Sequence, residues 1–144
     1  MPFDVEINDR VAELVFNHPP VNAFSSAMWL ELPELITSLG KNPDVRCVLI
    51  RAEGKGFCAG VDIKELAANS GAIVEVNKGN FLTFKAIHEC EIPVVSAPHS
   101  FVLGGGIGVN TTGISHSCMA LKECRRHTVL YLGAELASVG LPMR

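Results

Sequence analysis

The prediction of the fold depends first on residues 55–64, Lys-Gly-Phe-Cys-Ala-Gly-Val-Asp-Ile-Lys. This stretch follows a nearly continuous apolar run at 45–50, which is typical of a strand covered on both faces. A second glycine-rich stretch at 103–108, Leu-Gly-Gly-Gly-Ile-Gly, also follows an apolar run and precedes a segment that can start a helix. Two such turns side by side would direct unpaired backbone N–H groups into one cleft, which suits an anion or a developing oxyanion.

The composition limits the class of protein and its partners. The chain has 144 residues, of which 48% are hydrophobic and 19% charged, as in one globular domain or part of one. The formal charge of −3 argues against a nucleic-acid partner, because phosphate binding needs an excess of Lys and Arg on one face. The longest uncharged run, at about 92–112, is interrupted by prolines and glycines, so we expect no membrane partner.

The N-terminal sequence and the cysteines indicate the compartment. Residues 1–6 contain acids early and lack a basic region followed by an apolar core, so neither a secretory signal nor a transit peptide is expected. Five cysteines are an odd number, and three lie in or beside apolar runs where a thiol packs as a small hydrophobe. We therefore expect a cytoplasmic protein with reduced thiols.

Strand and helix patterns alternate along the chain. Alternating apolar residues predict a β-hairpin from runs 3–7 and 11–16. A weak pattern containing two glycines predicts a loop with a possible helical turn over 67–80, followed by a helix to about 88 and a strand over 94–97. The order of strand, glycine turn and helix then occurs twice. This order favours an α/β fold with ligands at the carboxyl ends of the strands.

Serine, glycine and proline residues determine where the first helix is expected to begin, bend and end. Ser25 or Ser26 can cap it, and Gly40 is expected to end it. Pro33 lies inside the helical pattern, where proline removes a backbone donor and crowds the preceding turn. We therefore expect a bend at Pro33 or a later helix start near Leu32.

Three segments together carry a resemblance to a known family. Residues 56–64, residues 101–106 (Phe-Val-Leu-Gly-Gly-Gly) and residues 20–23 (Pro-Val-Asn-Ala) resemble, in order and spacing, the signature of the enoyl-CoA hydratase/isomerase (crotonase) family. The resemblance extends over roughly residues 3–108. It implies an α/β, crotonase-like spiral of ββα units that is incomplete at the C-terminus. Residues 1–108 would be the N-terminal part of an acyl-CoA-binding domain, and 109–144 an atypical tail.

The resemblance implies an oxyanion hole. By position, the backbone N–H groups of Val61 and Gly105 would hold the thioester oxygen as it becomes enolate-like. A glycine at 105 would let the thioester approach the backbone closely, and one such donor typically contributes about 3 to 4 kcal/mol of transition-state stabilisation. Asp62, which follows Val61, is read from its own position as a helix cap.

The resemblance also implies how coenzyme A is bound. Ala59 and Ile63 would frame the adenine, while Lys55 and Lys64 would lie near the CoA phosphates. Coenzyme A would enter as part of an acyl-CoA substrate, with no permanently bound cofactor and no metal. Full-length members of the family form homotrimers or hexamers.

Two positions depart from the hydratases of the family. The first catalytic glutamate would lie two residues beyond the glycine triplet, where this chain has Gly108, and the second would fall at Met143 of a Gly-x-Pro-x segment. Some members with a Gly-Gly-Gly-Ile-Gly turn resemble ring-opening or hydrolytic enzymes of cyclic and steroid-like acyl-CoAs. Hydration, isomerisation and carbon–carbon hydrolysis therefore stay open, and so does a non-catalytic CoA-ester-binding or interaction fragment. Since no family pattern is recognisable after Gly108, we also expect a truncated or frame-altered member.

Other motifs favour weaker alternatives. His116 with Cys118 and Cys124 with His127 are two pairs that could ligate zinc, although paired Cys-x-x-Cys knuckles are lacking. His99 lies just before the second glycine turn, where a structural histidine and a catalytic base are both conceivable. We expect the structural role.

Overall fold

A computed structural model describes residues 2–112 and 114–115 of the chain. The elements follow one another as β1 (Phe3–Asn8), β2 (Val11–Phe16), β3 (Ala23–Phe24), α1 (Ser26–Lys41), β4 (Cys47–Ala52), β5 (Gly60–Val61), α2 (Ile63–Ala68), α3 (Ala72–His88), β6 (Val94–Ser96), α4 (Gly105–Thr112) and β7 (Ile114–Ser115). The tail segments discussed above, including the four potential zinc ligands and Met143, lie outside the described residues.

Within the described residues, a five-stranded sheet forms the centre of the fold. Its strand order is β1-β2-β4-β6-β7. The β1–β2 pair is the predicted antiparallel hairpin, and the remaining neighbours are parallel. A small parallel pair, β3–β5, carries the first glycine turn. The α/β fold expected from the order of the elements is confirmed.

The core is rich in aromatic rings from the strands that precede the site. Three phenylalanine rings meet edge to face, with centroid separations of 4.9 to 5.6 Å, and a fourth ring and the single tryptophan extend the cluster. Such pairs each contribute about 0.5 to 1.5 kcal/mol beyond the apolar area that they bury. Its members are Phe3, Phe16, Phe24, Trp29 and Phe57. Because Phe57 belongs to the first glycine turn, this cluster anchors the turn to the sheet.

The helix α1 differs from the expectation of a later start. It begins after Ser25, whose side chain accepts from the backbone of Met28, and it continues through Pro33 to Lys41. Pro33 cannot donate to the carbonyl of Trp29 one turn earlier. That freed carbonyl lies against α3, where a side-chain carbon placed on Gly79 would come within 2.6 Å of it. The proline is thus accommodated by helix packing.

The expectation of a loop over 67–80 is wrong. Helix α2 covers the first residues of this segment, and α3 starts at Ala72 and runs unbroken through Gly79 to His88. Gly79 is buried at the crossing of α1 and α3, so its lack of a side chain permits close helix packing. None of the helices in residues 2–112 combines the length and apolar content that crossing a bilayer requires.

Candidate functional site

The two glycine-rich turns lie against each other at the carboxyl ends of β4 and β6. The backbone N–H of Leu103 donates to the carbonyl of Cys58 at 2.9 Å, and Cys58 forms an isolated parallel bridge with Val102. A side-chain carbon on Gly60 would lie 3.1 Å from the Leu103 carbonyl oxygen. Gly60 also has a φ of +87°, a conformation that glycine adopts at little cost. The juxtaposition expected from the sequence is therefore present.

Asn22 organises the chain just before the first turn. It is 1% exposed, and its side-chain amide donates to the carbonyls of Glu53 and Gly56, each at 2.9 Å. Its Oδ1 accepts from the backbone N–H of His18 at 2.7 Å. With a φ of +55°, Asn22 occupies a backbone conformation that asparagine tolerates better than most residues. One buried side chain thus fixes the loop that presents Lys55.

Helix α2 is fixed at its start by two acids. Asp62 caps it, because its Oδ1 accepts from the backbone N–H of Lys64 at 2.9 Å, as the sequence predicts. Glu65 reaches across to α1, where its carboxylate accepts from both the backbone N–H and the hydroxyl of Ser26, each at 2.7 Å. This contact satisfies a donor at the N-terminus of α1 and places negative charge where the helix dipole favours it.

The amide of Val61 points away from β3. The N–H of Asp62 donates to the carbonyl of Phe24 at 2.9 Å. Because successive N–H groups of an extended strand alternate between its two edges, the N–H of Val61 is directed to the opposite edge. The second glycine turn lies close by, since a side-chain carbon on Gly60 would come within 3.5 Å of the backbone of Leu103 and Gly104.

The amide of Gly105 is the first donor of α4. The next two amides are satisfied within the turn, since Gly106 donates to Leu103 and Ile107 donates to Gly104, each at 3.0 Å. The first N–H groups of a helix have no partner inside the helix. Among the turn and loop hydrogen bonds of the described residues, none uses the N–H of Gly105.

The structure gives Gly105 a different reason to be glycine from the one expected. A side-chain carbon at this position would overlap Oδ1 of Asn80 and come within 2.7 Å of two ring carbons of Trp29. Trp29 is fully buried, so a side chain at position 105 would point into the protein rather than into an open cleft. A larger residue here would therefore require the neighbouring side chains or α4 itself to shift.

Gly108 is crowded in the same way. A side-chain carbon placed on it would overlap the ring of Phe84 on α3. An aromatic ring therefore occupies the space into which a side chain at 108 would project, and a carboxylate at that position would require the half-buried ring of Phe84 to move.

The four residues predicted to contact coenzyme A lie around the first turn. Lys55 and Lys64 are exposed on either side of it, and Ile63 is 75% exposed at the start of α2. Ala59 is half-buried, and its N–H donates to the carbonyls of Val21 and Asn22, both at 3.2 Å. Together these residues provide two mobile positive charges beside an exposed apolar surface.

Cys58 and His99 also lie near the turns, and their contacts suit a structural role. Burial raises the pKa of the Cys58 thiol to about 11, although a hydrogen bond from the backbone of Gly60 lowers it in part. A protonated, buried thiol is a weak nucleophile. His99 lies with Nε2 3.2 Å from the carbonyl oxygen of Gly54, a contact that holds the two loops together.

Sequence reasoning did not single out Asn22, Glu65, Asn80 or Phe84. Asn22 belongs to the Pro-Val-Asn-Ala segment, so its place in a motif was a usable signal. The spacing of Asp62 and Glu65 resembles a capping box, but Glu65 bonds to Ser26 of α1 instead of the N–H of Asp62, so this spacing did not predict its contact. Asn80 and Phe84 gave no such signal, because their contacts with α4 join residues more than twenty positions apart.

The geometry can be compared with known proteins. The sequence model described as enoyl-CoA hydratase/isomerase matches residues 6–113. The chain is 45% identical over 101 residues to a (7aS)-7a-methyl-1,5-dioxo-2,3,5,6,7,7a-hexahydro-1H-indene-carboxyl-CoA hydrolase of Mycobacterium tuberculosis, covering 69% of this chain and 41% of that protein. It is 46% identical over 103 residues to the protein of the same name from Rhodococcus jostii, covering 70% of this chain and 40% of that one.

Solved structures agree with the sequence matches. A crystal structure described as a putative enoyl-CoA hydratase/isomerase family protein from Hyphomonas neptunium is 31% identical, with a TM-score of 0.71 over 78% of this chain and 45% of that one. This chain spans about two fifths of the length of the curated relatives it matches. The resemblance carried by the two glycine turns is confirmed, and the chain belongs to the enoyl-CoA hydratase/isomerase family.

Proposed function

We propose that this protein binds an acyl-CoA thioester and stabilises its enolate-like form between the backbone N–H groups of Val61 and Gly105. The contact of the two glycine turns, joined by the bond from Leu103 to Cys58 at 2.9 Å, is the observation that carries the proposal. One donor comes from the edge of β5 that faces the second turn, and the other begins α4. Fixed backbone donors stabilise a developing oxyanion without reorganising during the reaction, and each contributes about 3 to 4 kcal/mol.

The CoA moiety would lie along the first turn. Lys55 and Lys64 supply positive charge for its phosphates, and Ile63 with Ala59 offers apolar contact for the adenine. Because both lysines are exposed, their attraction for phosphate should weaken as salt is added. This arrangement leaves the thioester end of the ligand at the two amides.

Among the family's reactions, we propose hydrolysis of a carbon–carbon bond in a cyclic acyl-CoA. Relatives at 45% and 46% identity are named as hydrolases of a fused-ring acyl-CoA that carries two ketones. By the resemblance, the hydratases carry one of their two catalytic glutamates where this chain has Gly108, and the ring of Phe84 lies in the adjacent space.

The proposed reaction uses the two donors directly. Water adds to a ring ketone placed β to the thioester, and the bond between that ketone carbon and the α-carbon breaks. The electron pair passes to the α-carbon and is delocalised onto the thioester oxygen, which the two amides hold. The α-carbon then takes a proton, so one water is consumed and a carboxylate is formed. No described residue is assigned to move these protons.

A second candidate is a CoA-ester-binding protein without catalysis. It is favoured by the glycine at position 108, because a site that lacks an acid there retains the proposed donors but loses a group that typically contributes 10² to 10⁴ in rate.

Two probes separate the candidates. Binding of crotonyl-CoA and of 2-oxocyclohexane-carboxyl-CoA is measured by calorimetry, and the products are identified by mass spectrometry. Ring opening of the cyclic ester supports the hydrolytic proposal, while hydration of crotonyl-CoA alone would redirect it to the hydratases. Binding without turnover supports the non-catalytic candidate, and failure of both esters to bind would refute both.

A further inference from the structure

The start of α4 rests on two side chains that belong to other helices. A carbon added to Gly105 would overlap Oδ1 of Asn80 and approach the ring of Trp29 to 2.7 Å. Trp29 is fully buried in α1, whereas Asn80 is half-buried on α3. One aromatic ring and one amide group thus lie directly beside the backbone of Gly105.

The orientation of the Asn80 amide is determined by its other contact. Its Nδ2 donates at 2.9 Å to the carbonyl of Val76, one turn earlier in α3. Since a carbonyl oxygen can only accept, the nitrogen must face Val76 and the oxygen must face Gly105. The side chain therefore has one arrangement that serves both neighbours.

The segment beside Asn80 is rich in glycine, so its backbone is costly to order. Residues 103–108 contain four glycines, and glycine backbone loses more conformational freedom on ordering than any other residue. Oxyanion stabilisation requires a donor already in place, and a small misplacement can cost up to about a hundredfold in rate. A contact that fixes the α-carbon of Gly105 also fixes the direction of its N–H.

We propose that Asn80 is a positioning residue that holds the Gly105 amide in line with the thioester oxygen. This inference rests on the oxyanion hole proposed above and deepens it. Asn80 does not touch the substrate oxygen in this proposal, since its own oxygen lies against the glycine and its nitrogen is used by Val76.

The experiment measures the donor directly by infrared spectroscopy of crotonyl-CoA bound to the full chain. Hydrogen bonding to the thioester oxygen lowers its carbonyl stretching frequency relative to the free ester. Asn80→Ala removes the support, and Asn77→Ala is the matched control, because Asn77 is an exposed asparagine on the same helix. Affinity for free coenzyme A is measured for each variant, since it does not depend on the thioester.

We expect Asn80→Ala to reverse about half of the frequency shift, because one of two donors is misaligned. Asn77→Ala should keep the whole shift, and both variants should bind free coenzyme A within about twofold of the wild type. An unchanged shift in Asn80→Ala would overturn the positioning role while leaving the oxyanion hole intact. A wild-type complex without any shift would instead refute the oxyanion hole, and the role of Asn80 with it.

A second measurement tests the contact without any ligand. Gly105→Ala should lower the melting temperature, and adding Asn80→Ala should recover part of the loss, because the overlap with the amide is relieved. The recovery should be partial, since the ring of Trp29 remains close. Strictly additive effects of the two substitutions would contradict the contact on which the proposal stands.

Discussion

The two glycine turns meet at one edge of the sheet, but different interactions hold them there. The first turn is fixed by polar side chains: Asn22 bonds to the loop before it, and Asp62 and Glu65 fix the helix after it. The second turn depends more on close packing, since side-chain carbons on three of its glycines would overlap Asn80, Cys58 and Phe84. Side-chain hydrogen bonds are therefore the main contacts to test around one proposed donor, and close packing is the main contact to test around the other.

This difference predicts how each turn responds to substitution. Polar contacts can be removed one at a time, each leaving a buried group without its partner. Close packing is disrupted by adding atoms rather than by removing them, because a larger side chain makes its neighbours shift. The following substitutions, in order of decreasing effect, test whether the two turns separate in this way.

The largest effect is expected from Gly105→Pro, which deletes the proposed donor. Its loss should cost about 3 to 4 kcal/mol of transition-state stabilisation, which is roughly 10² to 10³ in the turnover of 2-oxocyclohexane-carboxyl-CoA. Proline is tolerated at the first position of a helix, so α4 itself can still form.

Gly105→Ala is the matched control for that prediction. It adds the same Cβ crowding against Asn80 and Trp29 without the rest of the proline ring, and it keeps the N–H; overpacking of this kind typically costs about 1 to 3 kcal/mol of folding stability. A kcat lower for the proline variant than for the alanine variant measures what the N–H itself contributes. Equal kcat values, with the infrared shift of the bound thioester retained in the alanine variant, would remove Gly105 from the oxyanion hole.

The next largest effect is expected from Asn22→Ala, which tests the polar turn. The substitution leaves two carbonyls and one N–H without their partner and also places alanine at a positive φ, so unfolding free energy should fall by about 3 kcal/mol. Urea denaturation provides the measurement. Asn22→Gly loses the same bonds without the backbone strain and should be about 1 kcal/mol more stable than the alanine variant. If the glycine and alanine variants both had the unfolding free energy of the wild type, the three hydrogen bonds of Asn22 would not contribute to stability.

A smaller effect is expected from Glu65→Gln. The amide retains one acceptor for Ser26 but loses the charge at the start of α1, which should cost about 1 kcal/mol of unfolding free energy. Glu34→Gln is the control, because Glu34 is exposed on α1, the helix that Glu65 contacts, and should change stability by less than about 0.5 kcal/mol. Equal stability loss in the two variants would indicate a general effect of charge rather than the contact with Ser26.

The same difference explains which features could be predicted from the sequence. Patterns within a few residues predict the hairpin, the Asp62 cap and the two turns. At such positions Gly, Asn and Asp occur mainly because they suit turns and helix caps. Pro33 and Gly79 were misleading, because both normally interrupt helices. Here Gly79 of α3 leaves space for the backbone of Trp29 in α1, whose carbonyl is the one that Pro33 cannot bond. Only the three-dimensional contact reveals that compensation.

The same limit applied to the site. The oxyanion donors were proposed from a family motif, but the reason for glycine at 105 was assigned to the ligand, whereas the structure places Asn80 and Trp29 in that direction. No local pattern links a residue on α3 to a turn more than twenty positions later. Residues that hold a site by packing are therefore harder to recognise in a sequence than residues that hold it by capping.

The smallest effect is expected on α3, the helix that supports the second turn. Thr83 is fully buried, and its hydroxyl has no hydrogen-bond partner among the described residues. Replacing the hydroxyl by a methyl group of similar size removes an unsatisfied polar group, so Thr83→Val should raise the unfolding free energy by about 0.5 to 1 kcal/mol. Thr37→Val is the control on α1, because the Thr37 hydroxyl donates to the Pro33 carbonyl at 2.8 Å and its loss should not stabilise the protein. Urea denaturation of both variants decides the question. If Thr83→Val were destabilising, the hydroxyl would take part in a polar interaction. The helix α3 would then be stabilised beside the second turn by more than close packing.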